Sequence, residues 1–212
     1  MEASSVKEIF KRLRASYPHA ETMLSFNTVF ELLTAVVLSA QSTDEQVNRV
    51  TKEMFKIINT PEAIADCRAE DLEKLISGVG LYKNKAKNLI AMAKIIRDEY
   101  NNEVPDSYEE LIKMPGVGSK TANVVLSVGF GLPGLGVDTH VHRVSNRLGL
   151  VMNKNARQTE AALKNMLPPE QWGESHHVLI YHGRQICKAR KANCEECVLE
   201  DLCERNLDAV KY

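Results

Sequence analysis

Four cysteines near the end of the chain constrain its fold more than any other feature. Cys187, Cys194, Cys197 and Cys203 follow the spacing C-x6-C-x2-C-x5-C, so four thiols fall within 17 residues that carry little apolar sequence. Such a segment cannot build a core of its own, and either two disulfides or one shared metal centre must hold it together. The gaps between the cysteines and the expected compartment distinguish these arrangements.

Residues 1–16 mix charged and apolar side chains without a long hydrophobic run, which is not typical of a signal peptide. We therefore expect a reducing compartment, where disulfides are rare. Only the gap from Cys194 to Cys197 matches the short knuckles of a structural zinc site. The spacing favours an iron–sulfur cluster, and Cys67, the fifth cysteine, is interpreted as an ordinary half-buried thiol.

Composition limits the classes of protein that remain. With 212 residues, of which 44% are hydrophobic and 26% charged, the chain can bury a sizeable core and form one domain or two small ones. No segment is apolar for long enough to span a membrane. The 27 basic and 28 acidic residues give a net charge of −1, so a nucleic-acid site would have to be a local basic patch.

Apolar residues recur at helical spacing along almost the whole chain. The first stripe runs from Val6 to Leu13, with Ser4 and Ser5 as candidate N-caps, and another follows Thr43. We find no convincing alternation typical of strands, so the pattern predicts an all-α protein. Helices are predicted near 28–39, 44–58, 71–76, 84–99, 107–113, 119–129, 138–148, 155–166 and 173–186.

Glycine and proline mark the organisation of these helices. The stretch 129–136, Gly-Phe-Gly-Leu-Pro-Gly-Leu-Gly, is the natural domain boundary, and a cleft there is an expected ligand site. Segments 75–86 and 111–122 share a Gly-Val-Gly turn, and each is interpreted as helix, glycine hairpin, helix. This weak internal repeat suggests two similar hairpins presented on one surface.

The second hairpin has the composition of an anion site. Its turn, Gly116, Val117, Gly118 and Ser119, can present backbone amides beside a helix N-terminus, and Ser119 is a candidate cap for that helix. A nucleic-acid phosphate needs such amides and no particular side chain. A plain helix–helix turn is the alternative, and for an isolated G-x-G it would be preferred.

A lysine and an aspartate follow this hairpin at positions suited to chemistry. Lys120 falls in the first turn of the next helix, where the positive end of the helix dipole disfavours protonation of an amine, and a neutral amine is a nucleophile. Asp138 follows the glycine-rich stretch at the expected N-cap of a later helix. Structural roles, a cap and a phosphate-contacting charge, remain open for both residues.

Taken together, these segments resemble the endonuclease III family of helix–hairpin–helix DNA glycosylases. The match runs nearly from end to end, and its most specific parts are the cysteine spacing and the hairpin with its lysine and aspartate. The segments that carry it are LSAQSTDEQVN (38–48), SGVGLYKNKA (77–86), MPGVGSKTANVVL (114–126), VDTHVHRVSNRLGL (137–150) and the four-cysteine tail.

The resemblance implies a fold of two helical domains with a DNA-binding cleft between them. A six-helix barrel with the helix–hairpin–helix would span 25–132, and residues 1–24 with 133–212 would form the iron–sulfur cluster domain. It also implies a base-excision-repair enzyme that removes oxidised pyrimidines and cuts the strand 3′ to the lesion by β-elimination. Lys120 would attack C1′ and form a Schiff base, and Asp138 would stabilise the cationic sugar.

The remaining site residues are also implied by position in the family. Gln41 would fill the space left by the extruded base, Leu81 would wedge beside its orphaned partner, and His140 would contact DNA near the site. The four cysteines would hold a [4Fe-4S] cluster that stiffens a basic loop meeting phosphates. That loop contains Lys188, Arg190 and Lys191.

Two positions depart from the family pattern: Ser119, where basic residues are common, and His142, where an aromatic residue can occur. Asp138, His140 and His142 superficially resemble a metal set, but residues spaced i, i+2 and i+4 do not share one helix face. His176, His177 and His182 are interpreted as packing and hydrogen-bonding residues.

The expected partner is double-stranded DNA with oxidised pyrimidines or abasic sites, and the expected state is a cytoplasmic, nucleoid-associated monomer without a membrane partner. Four rival functions remain open. Adenine glycosylases and thymine-mismatch glycosylases share the scaffold but differ at the position of Lys120. A redox or DNA-binding module would not need that lysine, and a metal-dependent nuclease would be stopped by chelators.

Overall fold

The computed structural model of the protein describes residues 2–207. Eleven α-helices and a few short 3₁₀ and π segments form the regular structure of that part of the chain, and none of its residues lies in a strand. The prediction of an all-α protein is therefore confirmed. In the same residues, no helix is both long enough and apolar enough to cross a bilayer.

The chain divides into two compact units. The central unit runs over Met23–Gly134, and the terminal unit combines Met1–Thr22 with Leu135–Tyr212. The beginning and the end of the chain thus belong together. The predicted domain bounds of 25–132 lie two residues inside the central unit at either end, and the later boundary falls within the glycine-rich stretch 129–136.

Within the described residues, the central unit contains seven α-helices and the terminal unit four. The α-helices of the central unit are α2 Val29–Leu38, α3 Asp44–Met54, α4 Pro61–Ala65, α5 Ala69–Leu75, α6 Tyr82–Glu99, α7 Tyr108–Leu111 and α8 Ser119–Val124. Those of the terminal unit are α1 Ala3–Ser16, α9 Thr139–Leu148, α10 Ala156–Met166 and α11 Trp172–Gln185.

Helix α2 forms the middle of the central unit. Every residue from Phe30 to Leu38 is buried, so this helix is surrounded by its neighbours. The carboxylate of Glu31, 1% exposed, accepts hydrogen bonds from the side-chain amides of Asn27 and Asn59, which satisfies a charged group inside the core. Other helices contribute a single apolar face to the same core.

The terminal unit has a separate core. Ile9, Phe10 and Leu13 of α1 are at most 1% exposed and belong to one apolar cluster with residues of α9, α10 and α11. Burial of each such side chain contributes about 1.5–3 kcal/mol. The apolar stripe predicted for residues 6–13 is thus what fixes the N-terminal segment to the later part of the chain.

Local signals place several helix boundaries. Thr43 caps α3 through a capping box, since its hydroxyl accepts from the Gln46 amide while the Gln46 side chain accepts from the Thr43 amide. The Thr43 prediction is therefore confirmed. Helix α4 was not predicted: Thr60 caps it and Pro61 starts it, but five residues are too few to show a helical repeat.

Two predicted features differ from the structure. Ser4 and Ser5 are not caps, because the Val6 amide donates to the Glu2 carbonyl and α1 already begins at Ala3. The helix predicted over 119–129 changes character midway, since Val125–Gly129 widens into a π turn that a 3.6-residue repeat does not reveal.

Candidate functional site

The turn between α7 and α8 has the shape that its glycines allow. Gly116 has a φ of 82°, and a Cβ there would lie 3.1 Å from the Asn88 Cβ and 3.3 Å from a Val37 methyl, so the position requires glycine. At Gly118 a Cβ would meet nothing within 4 Å, which leaves an open surface beside the start of α8. A phosphate could approach that surface closely.

Two residues of this hairpin have other roles than predicted. Val117 is 7% exposed and its amide donates to the Met114 carbonyl, so it holds the turn together and does not present an amide to a phosphate. Ser119 does not cap α8: Gly118 is the N-cap, and the Ser119 hydroxyl, already inside the first turn, accepts a hydrogen bond from the Tyr108 hydroxyl at 2.9 Å. That bond fastens α7 to α8.

Lys120 is the second residue of α8 and is half-buried. Its predicted place in the first turn of a helix, directly after the glycine hairpin, is confirmed. The hairpin fixes the backbone before it, and the Asn123 side chain donates to the carbonyl of Ser119, the residue directly before Lys120. The lysine amine therefore extends from a rigid support, as a positioned nucleophile requires.

Asp138 is the N-cap of α9, as predicted. Its Oδ1 accepts from the backbone amides of His140 and Val141 at 2.8 and 2.9 Å, and its Oδ2 lies 3.2 Å from the His140 Nδ1. The side chain is 14% exposed. Capping fixes the orientation of the carboxylate, so the structural and the catalytic interpretation of this residue are compatible. Lys120 belongs to the central unit and Asp138 to the terminal unit, and their convergence stays a prediction.

The histidines near Asp138 do not form a metal set. His140 contacts Asp138, whereas the Nδ1 of His142 lies 2.8 Å from the Thr159 hydroxyl on α10. Burial lowers the pKa of His142 below its usual value. In α11, the Nδ1 of His176 contacts the Gly136 carbonyl, as expected for a packing residue.

Gln41 and Leu81 both lie in exposed turns of the central unit. Gln41 follows α2 with a φ of 54°, and Leu81 precedes α6 with a φ of 56° and is 56% exposed. An exposed leucine in a left-handed turn is not part of the core, which agrees with the predicted wedge. Their contact with DNA stays a prediction.

Sequence reasoning missed the group that joins these two turns. The Ser42 hydroxyl accepts a hydrogen bond from the Gly80 amide at 3.0 Å and another from the Lys85 ammonium at 3.1 Å. Lys85 is 5% exposed and also donates to the Leu38 carbonyl at 2.8 Å. The only sequence signal was the position of Lys85 in the weak repeat, which gave no indication of its partners.

None of the four cysteines near the end of the chain forms a disulfide. Burial raises the pKa values of Cys197 and Cys203, and these two residues and Cys187 belong to the same apolar cluster of the terminal unit. No three His, Cys, Asp or Glu side chains between residues 2 and 207 are grouped so that they could hold one metal ion. A cubane cluster does not need such a group, since each of its irons takes a single cysteine.

Two buried arginines of α9 hold the cysteine segment. Arg143 donates to the carbonyls of Gly183 and Cys187, and Arg147 donates to those of Lys188 and Ala189. The Nη1 of Arg147 also lies 3.7 Å from the Cys187 sulfur. The Nε of Arg147 is buried and, within the part of the chain that the structure describes, has no hydrogen-bond partner. An anionic cluster held by the thiolates would place negative charge beside this arginine.

The predicted basic loop is exposed, although its backbone is held by one of these arginines. Lys188, Arg190 and Lys191 all have exposed side chains, while the backbone at Lys188 is held by Arg147. The anchor orders the backbone and leaves the charged side chains in solvent. The loop therefore has the local basic patch that a near-neutral chain needs to bind nucleic acid.

An all-helical fold with this hairpin, a lysine in the helix after it and a four-cysteine segment defines a class of helix–hairpin–helix repair protein, and comparison with known families agrees. Residues 34–169 match the family model described as HhH-GPD superfamily base excision DNA repair protein. This match covers the hairpin, Lys120 and Asp138.

Individual relatives show to which family within this superfamily the chain is most similar. The chain is 46% identical over 197 residues to endonuclease III of Escherichia coli, with 93% of each chain covered. It is 49% identical over 188 residues to endonuclease III of Bacillus subtilis, covering 88% of this chain and 86% of that protein. A solved structure of a trapped endonuclease III–DNA covalent intermediate superposes with a TM-score of 0.93 at 43% identity, covering 97% of both chains. The chain belongs to the endonuclease III family of the HhH-GPD superfamily.

Proposed function

We propose that the protein is a bifunctional DNA glycosylase and abasic-site lyase that removes oxidised pyrimidines during base excision repair. The observation that carries this proposal is Lys120, held on a rigid helix directly after the helix–hairpin–helix turn. Family membership supports the reaction class. The arrangement of the nucleophile supports the bifunctional form, since a glycosylase that activates only water has no use for an amine.

The chemistry proceeds through a covalent intermediate. The Lys120 amine attacks C1′ of the damaged nucleotide, the N-glycosidic bond breaks, and the electron pair leaves with the base, which takes up a proton. Ring opening gives an imine between Lys120 and C1′. Loss of a proton from C2′ then expels the 3′ phosphate by β-elimination, and hydrolysis of the imine releases the lysine.

Asp138 supports this step electrostatically. Positive charge develops on the sugar as the base leaves, and a carboxylate fixed by its capping hydrogen bonds stabilises that charge without having to reorient. The nearby His140 ring contacts the second carboxylate oxygen and limits its rotation. We assign no proton transfer to His140, which is proposed to contact DNA.

Base extrusion requires residues that replace the missing base. Unstacking a nucleotide costs a few kcal/mol, less at a damaged pair. Gln41 would fill the vacated space and Leu81 would wedge beside the orphaned partner. The hairpin surface at Gly118 would hold a backbone phosphate, and the basic loop at Lys188, Arg190 and Lys191 would meet others.

The four cysteines are proposed to hold a [4Fe-4S] cluster. Three observations support this assignment: none of the four cysteines forms a disulfide, Cys187, Cys197 and Cys203 share one apolar cluster, and the Arg147 side chain beside Cys187 has a buried Nε without a hydrogen-bond partner. When bound, such a cluster would stiffen the segment and supply a centre capable of redox chemistry. We propose that the protein acts as a monomer on double-stranded DNA in the cytoplasm, associated with the nucleoid through that DNA.

The proposal is tested by borohydride trapping on a duplex that contains one thymine glycol, with EDTA present. Borohydride reduces an imine to a stable amine, so a covalent protein–DNA adduct is expected from the wild type and none from Lys120→Ala. An exposed-lysine variant, Lys94→Ala, should trap like the wild type.

Each rival function gives a different result. A cluster-loaded wild type that forms no adduct but releases free base would be a monofunctional glycosylase. One that forms no adduct and releases no base would be a DNA-binding module, and strand cleavage that EDTA abolishes would indicate a metal-dependent nuclease.

A further inference from the structure

The turns that carry Gln41 and Leu81 share an uncommon backbone conformation. Both residues have φ values near 55°, in the left-handed region that side chains with a Cβ seldom adopt. Each such residue costs on the order of 1 kcal/mol or more and persists only where the surroundings hold it. The contacts around these two turns must therefore hold them in this conformation.

One hydroxyl joins the two turns. The Ser42 Oγ, next to Gln41, accepts from the amide of Gly80, next to Leu81. The backbones also touch at this point, because a Cβ on Gly80 would lie 3.0 Å from the Gln41 carbonyl oxygen. The two exposed side chains thus extend from turns that are bonded to each other and not merely close.

Lys85 also binds the two turns together, from a buried position at the start of α6. Its buried ammonium donates to the Ser42 Oγ and to the Leu38 carbonyl at the end of α2. An ammonium that is 5% exposed loses most of its hydration, and this desolvation lowers the stability of the fold unless hydrogen bonds offset it. In return, the last carbonyl of α2 and the acceptor hydroxyl are tied to the first turns of α6.

We propose that Ser42 and Lys85 are positioning residues that lock the turns of Gln41 and Leu81 into one rigid, two-pronged wedge for base extrusion. The inference rests on the proposed function, since it deepens the role given there to Gln41 and Leu81. A rigid wedge lowers the ordering cost of filling the duplex gap, because the competent arrangement is populated before DNA binds. Loosening the junction reduces that population and hence extrusion, while the lysine chemistry at C1′ is unaffected.

The test compares a substrate that requires extrusion with one that does not. The first is a duplex with thymine glycol paired to adenine, followed by its single-turnover cleavage rate. The second is a single-stranded oligonucleotide with one abasic site, followed by its rate of borohydride trapping. No base must be extruded and no gap filled in the second substrate, so it reports the chemistry alone.

Ser42→Ala removes only the shared hydroxyl, and Ser39→Ala is its matched control, since the Ser39 hydroxyl donates within the same turn to the Val36 carbonyl. Lys85→Met removes the buried ammonium and is matched by Lys94→Met, which removes an exposed one from the same helix. Gly80→Ala adds a Cβ against the Gln41 carbonyl oxygen and so pushes the two turns apart without changing either hydrogen-bonding side chain. It replaces Lys85→Met in the test if that variant does not fold.

We expect Ser42→Ala to cleave the thymine glycol duplex at least about fivefold more slowly than Ser39→Ala, since about fivefold corresponds to the loss of one hydrogen bond and the Ser42 hydroxyl accepts two. Lys85→Met and Gly80→Ala should be slower still on the duplex. On the single-stranded substrate, Ser42→Ala should match its control. A duplex rate equal to that of Ser39→Ala would overturn the proposal, and so would an equal loss on both substrates, because it would indicate damage to the chemistry or the fold.

The wild type separates failure of this inference from failure of the proposed function. If the wild type forms no adduct on the single-stranded abasic site, or if Lys120→Ala still forms one, the function itself fails and the wedge proposal falls with it. If the wild type traps through Lys120 while Ser42→Ala behaves like its control on both substrates, only the wedge proposal is wrong.

Discussion

At the scale of the residue, one side chain can have a structural and a chemical role at once. Asp138 caps α9 with Oδ1 and has Oδ2 beside His140. Its cap position was predictable from sequence, because a cap depends only on neighbours within three residues. The junction of Ser42, Gly80 and Lys85 was not, since its hydrogen bonds join residues 38 to 47 positions apart.

The two roles of Asp138 can be separated by two substitutions. Asparagine caps a helix about as well as aspartate but carries no charge. The free energy of unfolding of Asp138→Asn should therefore differ from that of the wild type by no more than about 0.5 kcal/mol. Loss of the charge should slow base release on the order of 100-fold. Asp138→Ala should be equally slow and, in addition, about 1 kcal/mol less stable in urea unfolding. A wild-type rate for Asp138→Asn would show that the carboxylate only caps.

At the scale of the element, periodicity predicted helices well and their details poorly. Helix α6 was predicted over 84–99 and runs over Tyr82–Glu99, because a long apolar stripe makes a helix evident. The five residues of α4 are too few for such a stripe, and the caps at Ser4 and Ser119 were misplaced by one or two residues. A shift of that size depends on backbone hydrogen bonds that tertiary contacts select.

The contact between α9 and α10 gives a pH dependence. Burial lowers the pKa of His142 below its unfolded value of 6.5. Below pH 6.5, His142 therefore binds a proton more readily in the unfolded chain than in the folded protein. Stability should therefore fall as the pH drops below 6.5. The free energy of unfolding is measured in urea at pH 7.5 and at pH 5.5. Its decrease from the higher to the lower pH should be smaller for His142→Gln than for the wild type.

His19→Gln, which removes an exposed histidine of the terminal unit, is the control for this measurement. An identical decrease in His142→Gln and in the wild type would mean that His142 does not contribute to acid sensitivity.

At the scale of the whole molecule, the chain builds one unit from its middle and another from its two ends. The boundary near Gly134 was predictable because a run of breakers interrupts the helical pattern. The arginines that anchor the cysteine segment, Arg143 and Arg147, were not predicted as such, because their partners are backbone carbonyls 40 or more residues away. A cluster that bridges the four cysteines would complete that anchor.

The metal content of the purified protein tests this part of the account. We expect a broad visible absorbance and about four irons per chain. Cys203→Ser should lose iron and, with it, stability of the terminal unit, whereas Cys67→Ser should retain both, because Cys67 belongs to the central unit. A colourless protein with one zinc per chain would contradict the assignment.

The most direct test of the central claim is the identity of the lysine that becomes bonded to DNA. The borohydride-reduced adduct is digested and the modified residue located by mass spectrometry. We expect Lys120 to be the only modified lysine. The informative rival is Lys85, a buried lysine whose pKa is lowered by burial. An adduct on Lys85, or on any lysine other than Lys120, would contradict the mechanism proposed here.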